Sequence, residues 1–402
     1  MAIAGTKVAI IGGSIAGCAT AQALIRAGRN VSVFERTPAS LSDRGAGIVV
    51  PLPLRDQLIE AGYLPTDYAH CVMGERWWQH HDGSAGGRRL WTQPSAGVTN
   101  NWSMLWRALR SGVTDDVYHG GVALREFSDQ GEFVSVTLSD GTTRHFDALI
   151  GADGYRSAIR AKLHPEARAV PAGYVLWRGN YAESELVDRC LLDEADRTSA
   201  WLTLTFPGGH GVLYMIPDFE GKGRRVNWAI YSRPPQALGG DGVTSVPPGG
   251  VSAEVYQTLE HLLADHFPPR IAALVQHSAR RNVSIQPIYD GMIDSYGQNR
   301  VALVGDAGTM TRPHTGSGAT KALQDVLALE DCIAGHTDWP AALADYDTRR
   351  AAANNTLVEL GRRIGRAQVE ETPDWAAMTP TDFADWTQAT LDGTSLYFYE
   401  KA

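Results

Sequence analysis

The stretch that most constrains this chain is residues 8–36, VAIIGGSIAGCATAQALIRAGRNVSVFER. An apolar run at 8–11 meets Gly12 and Gly13, small and apolar residues follow in a helical pattern, and a second apolar run at 31–34 ends in Glu35. Gly12, Ser14 and Gly17 occupy the three glycine positions of a dinucleotide-binding βαβ unit, where the chain turns tightly, approaches a pyrophosphate and packs helix on strand. Serine stands at the second position, where a Cβ competes with the phosphates for space. Glu35 lies 18 residues beyond Gly17, near the roughly 20 expected of an acid that accepts hydrogen bonds from a ribose hydroxyl. Flanking strands and the acid make an adenine dinucleotide the expected ligand; a plain structural βαβ unit is the alternative.

At 402 residues the chain exceeds one compact core, and about two to three domains are expected. A hydrophobic content of 44% with 20% charged residues fits a globular protein. The net charge of −9 and the lack of long basic runs argue against a nucleic-acid partner, because phosphate recognition needs clustered Lys and Arg. No apolar run reaches membrane-spanning length and the chain enters its first strand almost at once, so neither a membrane nor a secretory leader is expected. Cys18, Cys71, Cys190 and Cys332 form no C-x-x-C pair, which argues against a metal site and fits a reducing cytoplasm. Of the eleven tryptophans, core packing should take most and an aromatic cavity the rest.

Arg44 is a lone cation just before Gly45 and Gly47, placed to reach a ligand under a folded loop or to stand solvated. Residues 76–92 read as two strands about an Asp82-Gly83 turn, and 101–111 as a helix whose apolar stripe turns Arg107 away. Residues 121–146 form a small β-meander in this reading. The apolar run 148–150 then leads into Gly151-Ala152-Asp153-Gly154 before a helix. This sets a carboxylate at the C-terminal edge of a sheet, where open α/β folds bind ligands, with helix capping as the other role for Asp153. From 174 to 231 successive β runs mark a second, antiparallel domain, and an amphipathic helix follows at about 253–267. In residues 300–332 a buried strand ends in Gly305-Asp306, a loop carries Arg312-Pro313-His314, and Gly316-x-Gly318 opens a helix whose amides favour negative charge. A second long helix is expected from near Pro340 to about 369, with an aromatic tail packed on the body.

Three separated motifs thus stand in one order: the fingerprint with Glu35, Gly151-Ala152-Asp153-Gly154, and Gly305-Asp306 with Pro313 and Gly316-x-Gly318. Over about residues 5–335 they closely resemble the single-component FAD-dependent aromatic hydroxylases built like p-hydroxybenzoate hydroxylase. Within that family, residues 12–17, Gly47-Ile48-Val49-Val50, residues 173–179 and Arg312-Pro313-His314 with Lys321-Ala322 are most similar to the 2,6-dihydroxypyridine 3-hydroxylase group. That group shares the serine at position 14.

The resemblance implies a mixed α/β (α+β) fold: a Rossmann-like FAD-binding domain, an inserted antiparallel β-sheet substrate domain and C-terminal helices. Residues 1–75, 98–172 and 276–335 would form the first, 76–97 and 173–275 the second, and 336–402 the helical segment. It further implies that Gly12, Ser14 and Gly17 hold the FAD pyrophosphate and Glu35 the ribose, with Arg36 beside it. Arg44 and Arg107 would contact the phosphates or ribityl chain. Asp153 would serve FAD and a transient NADH or NADPH, Asp306 the ribityl hydroxyls, and Pro313, Gly316 and Gly318 the isoalloxazine. There are two departures. Gly305-Asp306-Ala307-Gly308-Thr309 lacks the histidine that family members commonly carry, and the cavity residues of the 201–231 strands differ.

The implied activity is a monooxygenation in which NAD(P)H reduces FAD and a flavin hydroperoxide delivers one oxygen to an electron-rich hydroxypyridine or phenol. The partners would be a small aromatic substrate and O2, in a cytoplasmic enzyme for which a homodimer is open. A ring hydroxyl reacts better when deprotonated, so a base or cation is expected beside it, and His314, His210 and Tyr214 are the candidates. His314 leads because its loop should touch the flavin; a structural histidine is the alternative. Arg178 either pairs with an anionic substrate or fixes a contact between domains. Two competing functions are a flavin-dependent halogenase, whose W-x-W-x-I-P motif is missing, and a non-catalytic FAD-fold module, against which Asp306, Pro313 and the later glycines argue.

Overall fold

The computed structural model describes residues 5–41, 46–186, 192, 199–219, 221–239 and 244–396. Two large sheets organise it. In the first, the parallel strands Val301–Leu303, Ala148–Gly151, Lys7–Ile11, Asn30–Glu35 and Tyr118–Gly120 lie side by side in that order, and Gly297–Gln298 adds an antiparallel edge. The central strands are apolar throughout, as a parallel sheet covered on both faces requires, and Val8, Ala9, Ile10, Leu149 and Ile150 are fully buried. The helix Ile15–Arg26 lies against this sheet through its small residues Gly17, Cys18, Ala19 and Ala21. A Cβ on Gly17 would stand 1.8 Å from the Gly12 carbonyl oxygen, and Gly12 itself has φ +106°. Glycine is therefore required at both places by sterics. The helix Ser317–Gly335 packs beside Ile15–Arg26.

The second sheet has eight strands, in the order Ser284–Asp290, Val170–Ala182, Arg224–Ser232, Gly209–Pro217, Ala200–Phe206, Cys71–His80, Arg88–Asn101 and Gly47–Pro51. All neighbours are antiparallel except Ala200–Phe206 with Cys71–His80. Alternation along these strands divides the side chains between two faces. Trp77, Trp177, Leu213, Trp228 and Ile230 point into a core closed by the helices Ala253–His266 and Pro269–Gln276. Their neighbours Arg76, Arg178, Val212, Tyr214, Ala229 and Tyr231 face a cavity on the other side. Gly47–Pro51 and Ser284–Asp290, read from sequence as parts of the cofactor domain, are the two edge strands of this sheet. Gly47 pairs with Asn101 and Ser284 with Arg178, partners too distant in sequence for local pattern to reveal.

A three-stranded meander, Leu124–Asp129, Val134–Leu138 and Thr143–Phe146, stands apart from both sheets. The long helix Trp339–Gly365 starts on the Asp338 side chain, which accepts from the Ala341 N–H at 2.9 Å, and runs into a π-helical turn, Arg366–Glu370. Beyond it, Trp375 and Phe383 are buried against Trp78 and Trp91, with ring centroids 5.9 Å apart for Trp78–Trp375 and 5.4 Å for Trp91–Phe383. The tail thus packs on the body as far as residue 396; Tyr397, Phe398 and Tyr399 lie outside the described residues. Among the described residues no helix is long and apolar enough to cross a membrane.

Candidate active site

Residues just past the C-terminal ends of three parallel strands, Ser14, Ala152, Gly154, Val304 and Asp306, form one wall of a cavity of about 390 Å³. Carboxyl ends of parallel strands are where such sheets bind ligands. Ser14 stands at the N-terminus of Ile15–Arg26, yet its side chain makes no capping hydrogen bond and the first turn holds no acid. The helix Ser317–Gly335 likewise starts without an acid in its first turn, from Gly316 in the left-handed region at φ +60°. Glu35 is buried behind this wall, where its carboxylate accepts from the Gly13 N–H at 2.8 Å and the Thr37 N–H at 2.9 Å.

Asp153 divides its oxygens between two roles. Oδ2 accepts from the Ala158 N–H at 2.8 Å at the start of the helix Ala158–Leu163, while the buried Oδ1 has no partner. Burial raises this carboxyl above its ordinary range, with hydrogen bonds from Ser157 and Ala158 opposing. Asp306 follows Gly305, whose N–H donates at 2.9 Å to Asp325 Oδ2; Asp325 is in turn held by Arg350 at 2.6 Å and Asn354 at 2.8 Å. The fully buried Lys321 reaches Asp306 Oδ1 at 3.3 Å and also donates to the Thr309 carbonyl. Thr309, at the place of the missing histidine, shares a 2.7 Å hydrogen bond with the Tyr296 hydroxyl.

The opposite wall is aromatic. His210, Tyr231 and His314 stack in sequence, with centroids 4.5 Å apart at 17° and 4.2 Å apart at 27°. The Tyr174 hydroxyl bonds His314 Nε2 at 2.7 Å. Burial drives His314 well below the usual histidine range, helped by His210, Arg312 and Arg76. Burial and then Arg76 push His210 down to about 3, against a hydrogen bond to the Gln368 backbone. Both imidazoles are consequently neutral near pH 7, and the cation foreseen as one option at His314 does not fit its surroundings. Tyr214 is raised by burial, which Arg178 and Asn227 oppose.

Behind His314 lies a buried ion network. Arg312 Nε donates to Asp290 Oδ2 at 2.8 Å, and its Nη1 reaches Glu370 at 2.7 Å and the Tyr174 hydroxyl at 3.3 Å. Arg362 donates to Asp290 Oδ1 from Nε at 2.9 Å and from Nη2 at 2.6 Å.

Ser14, Asp306, Pro313, Gly316, Gly318, His210, Tyr214 and His314 thus meet at one cavity. Gly12, Gly17 and Glu35 shape the turn behind it, and Asp153 sits between two lining residues. Arg36 and Arg107 are exposed and do not line it. Arg107 donates to the Phe219 carbonyl at 3.3 Å and borders a separate groove with Thr37, Ser40 and Arg110. Arg44 lies outside the described residues. Sequence reasoning missed Arg76, Tyr174, Tyr231 and Gln368. A lone cation in an aromatic strand, Arg76-Trp77-Trp78, was the available signal for the first; the other three become neighbours only through the fold.

A family profile described as FAD binding domain matches residues 5–177. With the fold and the motifs at the strand ends, it gives the chain an FAD-binding fold like that of the p-hydroxybenzoate hydroxylase-like flavoproteins. The chain is 28% identical over 364 residues to 2,6-dihydroxypyridine 3-monooxygenase of Paenarthrobacter nicotinovorans, covering 86% of this chain and 87% of that protein. It is 29% identical over 379 residues to aurachin C monooxygenase/isomerase of Stigmatella aurantiaca, covering 90% and 89%. The solved structure of 2,6-dihydroxypyridine-3-hydroxylase from Arthrobacter nicotinovorans aligns with a TM-score of 0.81 at 26% identity, over 92% of this chain and 94% of that one.

The residues present fit FAD. Two helix N-termini free of acids suit its phosphates and its electron-rich ring, and the unpartnered Asp153 Oδ1 is a buried acceptor awaiting a donor. At Gly318, a Cβ would meet nothing within 4 Å, so backbone lies open to the cavity there.

Proposed function

We propose that this protein hydroxylates an electron-rich hydroxypyridine or phenol, with FAD along the strand-end wall and NADH or NADPH as reductant. The observation that carries the reading is the His210–Tyr231–His314 stack facing Asp306 and Gly316 across one cavity. FAD, when bound, supplies the reduction by nicotinamide and the activation of dioxygen. The residues of the chain bind and orient. Backbone at Gly12, Ser14 and Gly17 takes the pyrophosphate, Glu35 and Arg36 the ribose side, and Asp306 the ribityl hydroxyls. Amides at Gly316 and Gly318 approach the ring, where the helix N-terminus favours negative charge. Asp153 offers Oδ1, and Arg44 and Arg107 serve the outer phosphates.

His314 and Tyr174 act as a pair. With His314 Nε2 tied to the Tyr174 hydroxyl, the neutral imidazole orients a substrate hydroxyl and accepts its proton only as the ring reacts; its depressed basicity makes it a poor resting base. Tyr214 and His210 complete a wall that keeps water from the reacting ring. Buried free thiols at Cys18 and Cys332 support a reducing cytoplasmic setting, and a homodimer is carried as the assembly to test by sizing.

The test is a screen of hydroxypyridines, hydroxybenzoates and larger phenols against the purified holoprotein, following NADH and NADPH oxidation together with product mass. A hydroxylase gives stimulated oxidation and a product heavier by one oxygen. Stimulation without any oxygenated product counts against the proposal.

A further inference from the structure

Lys321 is the one fully buried lysine among the described residues. It belongs to the helix Ser317–Gly335 and stands behind the strand-end wall rather than on it. Its ammonium donates to the Thr309 carbonyl, to Asp306 Oδ1 at 3.3 Å and to Thr309 Oγ1 at 3.4 Å. The loop it grips, residues 305–309, is otherwise held by groups that bond its backbone or its threonine. Asp325 accepts from the Gly305 N–H, Arg160 donates to the carbonyls of Asp306 and Ala307 at 2.9 and 3.0 Å, and the Tyr296 hydroxyl accepts from the Thr309 N–H at 2.9 Å. Among the described residues only Lys321 bonds the Asp306 carboxylate, which lines the cavity with half of its side chain exposed.

Stability does not call for a cation at this place. A methionine or leucine would fill the same space without the desolvation that burying an ammonium entails, and apolar replacements of buried ion pairs are often neutral or stabilising. The charge has its use at Asp306. That carboxylate lies on the wall along which the flavin is proposed to bind, where it opposes any negative charge gained nearby, the more so in surroundings of low dielectric. Two electrons and one proton taken up by the neutral flavin ring leave it with one negative charge. We infer that Lys321 is a positioning residue for Asp306: it fixes the carboxylate by one oxygen, leaves the other to the ribityl hydroxyls, and offsets its charge so that the wall accepts a reduced flavin. This assignment rests on the placing of FAD along the strand-end wall.

The experiment measures the midpoint potential of the flavin in the holoprotein, for the wild type, Lys321→Gln, Lys321→Met, Asp306→Asn and the Lys321→Gln/Asp306→Asn pair. A glutamine can still donate to the Thr309 carbonyl, so a lysine that only braces the loop would leave the potential where it was. The expected result is a fall of about 30 mV or more in both Lys321 variants, which for a two-electron couple is a tenfold loss of affinity for reduced relative to oxidised flavin. In the Asp306→Asn background the same Lys321→Gln change should move the potential much less, because the carboxylate it served is gone. Where a variant sheds its flavin, FAD affinity read from fluorescence quenching takes the place of the potential, and the same comparison of backgrounds decides. An unchanged value in Lys321→Gln, or an equal fall in both backgrounds, would overturn the assignment. Loss of the fold in both single Lys321 variants would overturn it too, since the lysine would then be structural. A wild type that purifies colourless and takes up no FAD would instead remove the flavin placement beneath it.

Discussion

Asp290 is the residue whose loss should most clearly couple stability to the cavity. It is fully buried and receives hydrogen bonds from two arginines, Arg312 at 2.8 Å and Arg362 at 2.9 and 2.6 Å. Asp290→Asn keeps the shape but removes the negative charge that these guanidiniums share. Breaking a buried pair from one side costs about 3–5 kcal/mol. With an unfolding entropy of roughly 2 cal/mol/K per residue, that is a fall in Tm of roughly 4–6 °C for a chain of this length. Glu370 supplies the contrast. It bonds the same Arg312 at 2.7 Å, but its side chain is 37% exposed, so Glu370→Gln should cost no more than about 1 kcal/mol. Thermal unfolding of the two variants at pH 7 makes the comparison. Because Arg312 also donates to the Tyr174 hydroxyl that holds His314, Asp290→Asn should additionally weaken binding of an aromatic probe. Equal Tm changes in the two variants, or a stabilised Asp290→Asn protein, would refute the reasoning.

Two further outcomes follow from the same geometry. Gly17→Ala places a Cβ 1.8 Å from backbone at Gly12; the helix must shift, at about 1–3 kcal/mol, and the purified variant should show a lower flavin-to-protein absorbance ratio, so full flavin content would contradict the tight crossing. His210, pushed down to about 3 in the fold, takes up a proton near pH 6.5 once unfolded. Its contribution is therefore complete above about pH 6.5 and declines by about 1.4 kcal/mol per unit as the pH falls toward its folded value. Urea midpoints at pH 7 and pH 5 should differ less in His210→Gln than in the wild type, and identical pH slopes would mean the imidazole is not buried neutral.

What sequence could reveal followed the range of the interactions. The βαβ unit was legible because its strands, turn glycines and helix occupy one contiguous stretch, and Lys7–Ile11 pairs directly with Asn30–Glu35. Gly151 to Gly154 and Gly305-Asp306 were legible as strand-end motifs because an apolar run, a glycine and an acid leave a local mark. The large sheet was visible as strands but not as faces. In Arg76-Trp77-Trp78 the side chain bound for the core and the one beside the cavity cation are both tryptophan, so alternation carries no contrast there. The parallel pairing of Ala200–Phe206 with Cys71–His80 and the Tyr174–His314 bond join residues more than a hundred positions apart. Gln368 sits in a π-helical turn with no periodic signature at all.

In the proposed reaction dioxygen is split, with one atom entering the aromatic ring. Turnover under ¹⁸O2, with NADH or NADPH and the ring that stimulates its oxidation, tests it most directly by mass spectrometry of the product. The expected product carries one ¹⁸O atom at the ring, none drawn from water, with nicotinamide consumed in proportion. Label recovered only as hydrogen peroxide, with the aromatic compound returned unchanged, would contradict it.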